Sequence, residues 1–357
     1  MLTYTLRLGS LAALLSLPLA ACGSPNGDDT VDPPVTGTYH HYVGNTLLLP
    51  SNASQATMYG LDLDGDAQMR PDNKLGGILG MLGGFGVELQ PQVDEAIMMG
   101  DIVLLHAVRA ETLTNSNASW QVYLGESATP PTFDGTDVFT IPTDGPQDAL
   151  LAGRISGGSF AGGPGTVQLK LAFVDGAEPL TLNLIASRIE GTLDETSCDA
   201  RLGGALTKDD IDNTLIPAVA GLVNTSLADD PVDCDCATGS VNPCPDTSCT
   251  IKGLFDAGIS CDAPEDCPAP ADACTEGKCA CTAGDCMGLL ANDNQISVAE
   301  VQNNAIIKTA LGPDIDLLDA SGVFQEDPAD RDGMIDSVSL GVKFSCVNAV
   351  FTSTVEQ

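Results

Sequence analysis

Two short acidic segments contain the residue types best suited to hold a hard metal ion. In residues 62–76 and 330–341, Asp recurs at alternate positions beside Gly. Gly permits a tight turn in which neighbouring carboxylates point at one centre, and Ca²⁺ takes such oxygens at ~2.3–2.6 Å. The pattern predicts a structural Ca²⁺ cofactor, with the candidate metal ligands Asp62, Asp64, Asp66, Asp72, Asp330, Asp332 and Asp336. The alternative is that Asp-Gly forms ordinary turns in an acidic chain.

The first segment, Asp62-Leu63-Asp64-Gly65-Asp66, resembles the D-x-D-G-D loops of thrombospondin type 3, dockerin and integrin-propeller repeats. The resemblance implies calcium with a structural role. Neither segment satisfies the EF-hand pattern, because in the first no Glu stands at the closing position. Residues 293–300 resemble the second half of an EF-hand, but Leu289 occupies its first ligand position, so we interpret them as a remnant.

The cysteines predict a disulfide framework. The chain has 13 of them, and twelve remain besides Cys22. An even number in an oxidising compartment can pair without a leftover thiol. No C-x2-C spacing occurs, which argues against zinc ribbons and thioredoxin-like redox sites. The predicted disulfide cysteines are Cys198, Cys234, Cys236, Cys244, Cys249, Cys261, Cys267, Cys274, Cys279, Cys281, Cys286 and Cys346.

Ten of these cysteines lie within residues 234–286, which we interpret as an inserted module. The stretch from Cys261 to Cys279 resembles the short cysteine repeats of Dickkopf-like and EGF-like extracellular modules, a resemblance that leaves its connectivity open. Large apolar residues are scarce there, so its bridges must stabilise it, typically by ~2–4 kcal/mol each. By parity alone, we expect Cys198 to pair with Cys346 and to join the two flanks of the insert.

The chain contains no recognisable catalytic motif. It has the three histidines His40, His41 and His106, and it lacks the G-x-S-x-G, H-E-x-x-H and Walker patterns. His106 alternates with apolar neighbours and is expected to be a sheet residue. The formal net charge of −35 repels phosphate backbones, which excludes nucleic acid as a partner. With 49 acidic residues, carboxylate pairs alone cannot identify a hydrolase.

The N-terminus predicts export. Residues 1–21 hold an apolar run too short to span a bilayer, and it ends in Leu19-Ala20-Ala21-Cys22. This tetrapeptide resembles the lipobox of bacterial lipoproteins, which implies cleavage before Cys22 and lipidation of its thiol. Gly23 rather than Asp follows, which under the usual sorting preference implies the outer membrane. An ordinary cleaved signal peptide is the alternative.

The elements that must position these residues are mostly strands. Short alternating apolar runs bounded by Gly, Asp and Pro are typical of antiparallel sheets. The expected strands cover residues 101–111, 120–125, 137–141, 150–156, 166–174, 180–193 and 337–351. Helices are expected after Thr207, with an interruption at Pro217, and after Ser297, whereas the glycines of residues 77–86 weaken any helix there.

We therefore predict a mainly β fold: an antiparallel β-sandwich-like domain with two or three helices, interrupted by a small disulfide-rich insert. The expected organisation is a lipoprotein signal peptide at 1–21, a flexible stalk at 22–44, a mainly-β domain at 45–228 plus 287–357, and a cysteine-rich insert at 229–286. The polar, Pro- and Gly-rich composition of the stalk is typical of a linker.

Together, the lipobox, the acidic loops and the cysteine insert resemble surface lipoproteins of the myxobacterial kind. That resemblance implies location and architecture but no activity. We expect a non-enzymatic, calcium-stabilised lipoprotein of the cell envelope with a structural or a protein- or glycan-binding role. Its partners would be the membrane, through the lipid anchor, and an envelope protein or glycan. The alternative function is a secreted hydrolase that uses paired carboxylates.

Overall fold

The computed structural model describes most of the chain after residue 34. The described residues are 35–65, 71–84, 89–142, 149–172, 179–229, 259, 261–267, 271–275, 277–280 and 296–352. The predicted signal peptide, the lipidation site and most of the stalk lie outside them, as do Asp66, Cys22, Cys234, Cys236, Cys244, Cys249, Cys281 and Cys286. In the described part, no helix is both long and apolar enough to cross a membrane.

The protein is mainly β, as predicted. The strands are β1 (Thr38–Leu48), β2 (Leu104–Ala110), β3 (Asn115–Leu124), β4 (Val138–Phe139), β5 (Leu150–Ser156), β6 (Ser159–Gly162), β7 (Val167–Leu171), β8 (Leu180–Leu193), β9 (Ser197–Thr207), β10 (Ala273–Thr275), β11 (Lys278–Ala280), β12 (Ser337–Asn348) and β13 (Val350–Phe351). The helices are α1 (Ala53–Tyr59), α2 (Lys74–Gly84), α3 (Gln90–Met99), α4 (Lys208–Asp210), α5 (Ile216–Asp229), α6 (Val298–Asn303) and α7 (Ala305–Ala310).

One antiparallel sheet of nine strands organises the domain and closes on itself. Its order is β6-β5-β3-β2-β1-β12-β9-β8-β7, and β6 also pairs with β8. The long strand β8 has β7 beside its N-terminal half and β6 beside its C-terminal half, as in the pair Ala161–Glu190. The antiparallel prediction is confirmed, and the two layers expected of a sandwich are opposite sides of this one ring of strands.

Apolar side chains fill the interior of this closed ring of strands. Tyr42, Trp120, Phe160 and Phe344 are at most 2% exposed. The Trp120 ring lies 5.2 Å from the Phe160 ring and 6.0 Å from the Phe344 ring, centroid to centroid. The same apolar cluster includes residues of α2, α3 and α5, so these helices share the core of the sheet.

The strand predictions fail where glycine or polar residues obscure the alternation. The bounds of β5 and β8 are confirmed, but β1, β6 and β9 were not expected. β6 lies in the glycine-rich stretch of residues 157–165, whose composition is typical of a loop rather than of a strand. In the structure, Gly157 and Gly158 have φ values of +60° and +81° and form a two-residue turn between β5 and β6. The sheet begins at Thr38, inside the segment predicted as a stalk.

The helices outnumber the two or three that were expected, since α1 and α3 had no recognised signal in the sequence. Asn52 caps α1 by accepting from Gln55 N at 3.0 Å. The interruption predicted at Pro217 is confirmed: residues Ile211–Leu215 form a wider π-helical turn between α4 and α5. The helix start predicted at Ser297 is also confirmed. A capping box forms there, because Glu300 accepts from Ser297 N and Ser297 accepts from Glu300 N.

Three disulfides lie among the described residues. Cys198–Cys346 joins directly opposite residues of β9 and β12, which come from opposite sides of the insert. This is the pair expected from the even number of cysteines. In the insert, Cys261–Cys274 and Cys267–Cys279 interleave around the hairpin of β10 and β11, so these bridges are local.

Candidate metal centre

The first acidic loop follows α1 and rests on apolar residues. Leu61 and Leu63 are buried, whereas Asp62 between them is exposed. Asp72 N donates to Leu61 O at 2.8 Å, and Leu63 N donates to Asp72 Oδ2 at 2.7 Å. Gly65 has a φ of +83°, and its N–H donates to Asp62 Oδ1 at 2.7 Å. The alternation of Leu and Asp therefore places the leucines in the core and the carboxylates on the loop.

Asp62, Asp64 and Asp72 form a group of convergent carboxylates. One oxygen of each lies within 4.8 Å of the others, which is about twice a Ca–O distance of ~2.4 Å. Burial raises the carboxyl pKa of Asp72 to about 6; the hydrogen bond from Leu63 opposes this rise, and the charges of Asp64, Asp314 and Asp62 add to it. A bound cation would relieve this burial and repulsion.

Asp316, Asp332 and Asp336 form a second group with the same spacing. Asp336 accepts from Leu317 N at 3.3 Å and from Leu318 N at 3.0 Å, so the backbone holds its side chain. Asp316 Oδ1 is buried and has no hydrogen-bond partner in the described part of the chain. Burial, with the charges of Asp336 and Asp332, raises the pKa of Asp316. An orphaned carboxylate oxygen beside two further carboxylates fits a cation.

Arg331 connects the two groups. Its Nη1 donates to the backbone oxygen of Asp64 at 2.8 Å and to that of Asp316 at 3.0 Å. Its other donors reach the carbonyls of Gln325 and Glu326 at 3.2 and 3.3 Å. One guanidinium thus fixes the backbone of both loops, although 267 positions separate Arg331 from Asp64.

The structure assembles most but not all of the predicted ligands. Asp62, Asp64 and Asp72 lie together, and so do Asp332 and Asp336. Asp330 is exposed on the 3₁₀ turn Pro328–Asp330 and lies outside the second group.

Asp316 joins the second group, and sequence reasoning missed it. A signal was present, because Ile315-Asp316-Leu317 repeats the apolar-Asp-apolar pattern of Leu61-Asp62-Leu63. Both triplets place their apolar residues in one buried cluster with Ala186 and Ala205. The shared pattern and the shared cluster explain why the two loops meet.

Asn73 locks the first loop to the sheet. Its Nδ2 donates to Ala56 O and to Gly341 O, both at 2.9 Å. Its Oδ1 accepts from Gly76 N at 3.0 Å and from Gly341 N at 2.7 Å. All four hydrogen-bonding positions of this buried amide are therefore used. A Cβ on residue 76 would lie 2.2 Å from Asn73 Oδ1, which explains the glycine there.

The donor chemistry of the two groups suits calcium. Both consist of carboxylates alone, and hard oxygen ligands favour Ca²⁺ over zinc or copper. No protein-family model, curated protein or solved structure matches this chain. The chemistry of the groups is therefore inferred from their own geometry.

His106 lies inside the ring of strands, away from solvent. It is 1% exposed, and its ring stacks on Phe344 with centroids 4.6 Å apart. Trp120 Nε1 donates to His106 Nδ1 at 3.1 Å, so the neutral ring carries its proton on Nε2. Nε2 has no hydrogen-bond partner among the described residues. A buried imidazole without access to water is a core residue rather than a general base.

Acid is expected to destabilise the fold through His106. Burial lowers its pKa from 6.5 to about 3. Below pH 6.5 His106 binds a proton in the unfolded chain, whereas in the folded chain it stays neutral down to about pH 3. The free energy of unfolding should therefore fall by up to ~1.4 kcal/mol per pH unit across that window, and the contribution is fully present above it.

Denaturant unfolding of wild type and His106→Phe between pH 7 and pH 4 checks this. The difference between the two curves isolates His106, because the carboxylates titrate in both proteins. The free energy of unfolding of wild type minus that of the variant should decrease as the pH falls, because only wild type carries His106. Parallel curves would contradict the assignment.

Proposed function

We propose that this chain is a non-enzymatic, calcium-stabilised binding protein of the bacterial cell envelope. One observation carries the proposal: two groups of three carboxylates, far apart in sequence, converge on a shared apolar cluster. Ca²⁺ prefers such oxygen ligands, and secreted modules hold it with dissociation constants of ~10⁻⁴–10⁻³ M. Calcium at this affinity is structural rather than a signal.

Calcium would add to the hydrogen bonds of Asn73 and Arg331 that already hold the two loops. The first group lies on the loop between α1 and α2, and the second lies on the segment that leads into β12. Each ion would neutralise carboxylates whose charges raise the pKa values of Asp72 and Asp316. The rigid loops and the closed nine-stranded sheet would then act as a scaffold for binding.

The proposed location rests on the N-terminal sequence. Leu19-Ala20-Ala21-Cys22 resembles a lipobox, so Cys22 would carry the lipid that anchors the protein to the envelope, in the outer membrane. The disulfides support an oxidising compartment. The full proposal is a surface lipoprotein whose partner is an envelope protein or a glycan.

Calcium should raise the melting temperature of the full-length protein. At about 100 times its dissociation constant, one ion stabilises a fold by ~2.7 kcal/mol. That amounts to roughly 4 °C per ion for a domain of this size. Differential scanning calorimetry in calcium and in chelator measures the shift. Asp72→Asn combined with Asp332→Asn should abolish it, because each group loses one charged ligand.

The matched control is Asp330→Asn, since the structure leaves this acidic residue outside the second group. It should retain the whole calcium shift. In chelator, Asp72→Asn should melt no lower than wild type, because the substitution removes a buried charge. Equal melting curves in calcium and chelator, or loss of the shift in Asp330→Asn, would rule out calcium at these groups.

One observation favours the alternative, a secreted hydrolase. A carboxyl pKa of about 6 at Asp72, beside Asp62 and Asp64, suits a general acid. The backbone N–H of Leu63, however, occupies Asp72 Oδ2. Incubation of the protein with oligosaccharides, followed by product analysis, separates the alternatives: cleavage that Asp72→Asn abolishes would favour the hydrolase.

A further inference from the structure

A cleft of about 790 Å³ lies on the outer face of the ring. Its floor is a row of five residues, one from each of five neighbouring strands, that are directly opposite one another in the strand register. In the order β6, β8, β9, β12 and β1, these residues are Ala161, Glu190, Arg201, Lys343 and Leu48. A second row begins beside it with Ser159, Thr192 and Asp199. Cleft volumes of ~300–1,000 Å³ are typical of ligand sites.

The C-terminal end of α1 forms a wall of the cleft. Met58 and Tyr59 line it, and Met58 is 55% exposed. Arg201 holds this wall in place, because its Nη1 donates to Met58 O at 3.0 Å and to Gly60 O at 3.2 Å. An apolar and aromatic wall therefore stands beside a polar floor.

The charges of the floor are balanced. Glu190 pairs with Arg201 at 2.7 Å, and Asp199 pairs with Lys343 at 3.0 Å. Neither cation is left for an anionic ligand, and the net charge of −35 repels anions further. The side chains of Glu190 and Asp199 are 50% and 60% exposed, so each keeps lone pairs that can accept hydroxyl hydrogens.

The closed sheet argues against a peptide. Extended peptides bind by adding a strand to a free sheet edge. In this cleft β6, β8, β9 and β12 have a neighbouring strand on both sides, since β6 pairs with β5 and β8. The edge of β1 at Leu48 is covered by Gln90, which accepts from Leu49 N at 2.9 Å and donates to Leu47 O at 2.9 Å. Polyproline ligands need grooves lined by several aromatic residues, and Tyr59 and Phe160 are the aromatic residues among those lining this one. Phe160 is 1% exposed, so its ring belongs to the core.

We infer that this cleft binds a neutral oligosaccharide. A sugar offers hydroxyl groups around its rim and C–H groups on its faces. The hydroxyl groups match the paired charges of the floor, and the C–H faces match Tyr59 and Met58. The inference rests on the proposed binding role but not on the calcium groups, because no carboxylate of those groups lines the cleft.

The test is binding of the full-length protein, with disulfides intact and calcium present, to immobilised neutral oligosaccharides, to uronic-acid oligosaccharides and to a peptide library. The neutral set should bind. Calorimetry on the best ligand should then show that Asp199→Ala and Glu190→Ala each weaken affinity by roughly tenfold or more, as the loss of a hydrogen bond to a charged group does.

The matched control is Asp212→Ala, which breaks the exposed ion pair between Asp212 and Lys208 outside the cleft. It should bind like wild type, and the melting temperatures of all variants should confirm that they fold. Absence of neutral-oligosaccharide binding, unchanged affinity in both cleft variants, or variant-sensitive binding of peptides or uronic acids alone would overturn the inference. The calcium shift, measured on the same samples, tests the proposed stabilisation separately.

Discussion

Replacing both Cys198 and Cys346 with alanine should lower the free energy of unfolding by about 5 kcal/mol. The bridge closes a loop of 148 positions, and the entropy that a disulfide removes from the unfolded chain grows with loop length. Both cysteines are buried, at 4% and 1% exposure, and face each other across β9 and β12. Chemical denaturation under non-reducing conditions, monitored by circular dichroism, measures the loss.

Removal of the Cys261–Cys274 bridge is the control. It spans only 13 positions and lies in the insert, so the main unfolding transition of the sheet should shift little. Equal losses in the two double variants would mean that Cys198–Cys346 does not stabilise the ring of strands.

Asn73→Ala should be nearly as damaging. The substitution leaves three backbone groups without their partner: Gly76 N, and both the N–H and the carbonyl of Gly341, whereas Ala56 O keeps its bond from Gly60 N. An orphaned buried polar group costs ~1–3 kcal/mol, so we expect a loss of about 4 kcal/mol or more. The melting temperature should fall by roughly 6 °C or more.

Asn303→Ala provides the comparison. The Asn303 side chain is exposed and donates to Ala299 O at 2.9 Å within its own helix, so its loss should cost less than ~0.5 kcal/mol. Similar melting temperatures for the two variants would show that Asn73 does not hold the loop to the sheet.

Local patterns predicted the class of the fold. Alternating apolar residues at its N-terminal end identified β8, and Ser297 with Glu300 three residues later identified the start of α6. These local patterns failed at strands whose residues are determined by tertiary packing rather than by strand propensity. Gly203 and Gly204 hide the strand signal of β9. A Cβ at Gly203 would lie 3.1 Å from the Leu61 side chain, so glycine there gives the first loop room to pack on β9.

The site was predictable only in its local parts. The Asp62 and Asp332 loops were identified by their spacing, but Asp316 belongs to its group through the fold rather than through spacing. Arg331 donates to Asp64 O and to Asp316 O, and Asp64 is so distant in sequence that no local pattern could predict this connection. The cleft was missed for the same reason, since its floor takes one residue from each of five strands.

The position of β12 sets the order in which the domain can fold. This last long strand lies between β1, the first, and β9. Pairs such as Leu48–Lys343 join residues nearly 300 positions apart. Contacts of such high sequence separation slow folding, because a large loop must close before they form. A nascent chain therefore holds β1 and β9 with unpaired edges until β12 has been synthesised, and we expect folding to be slow.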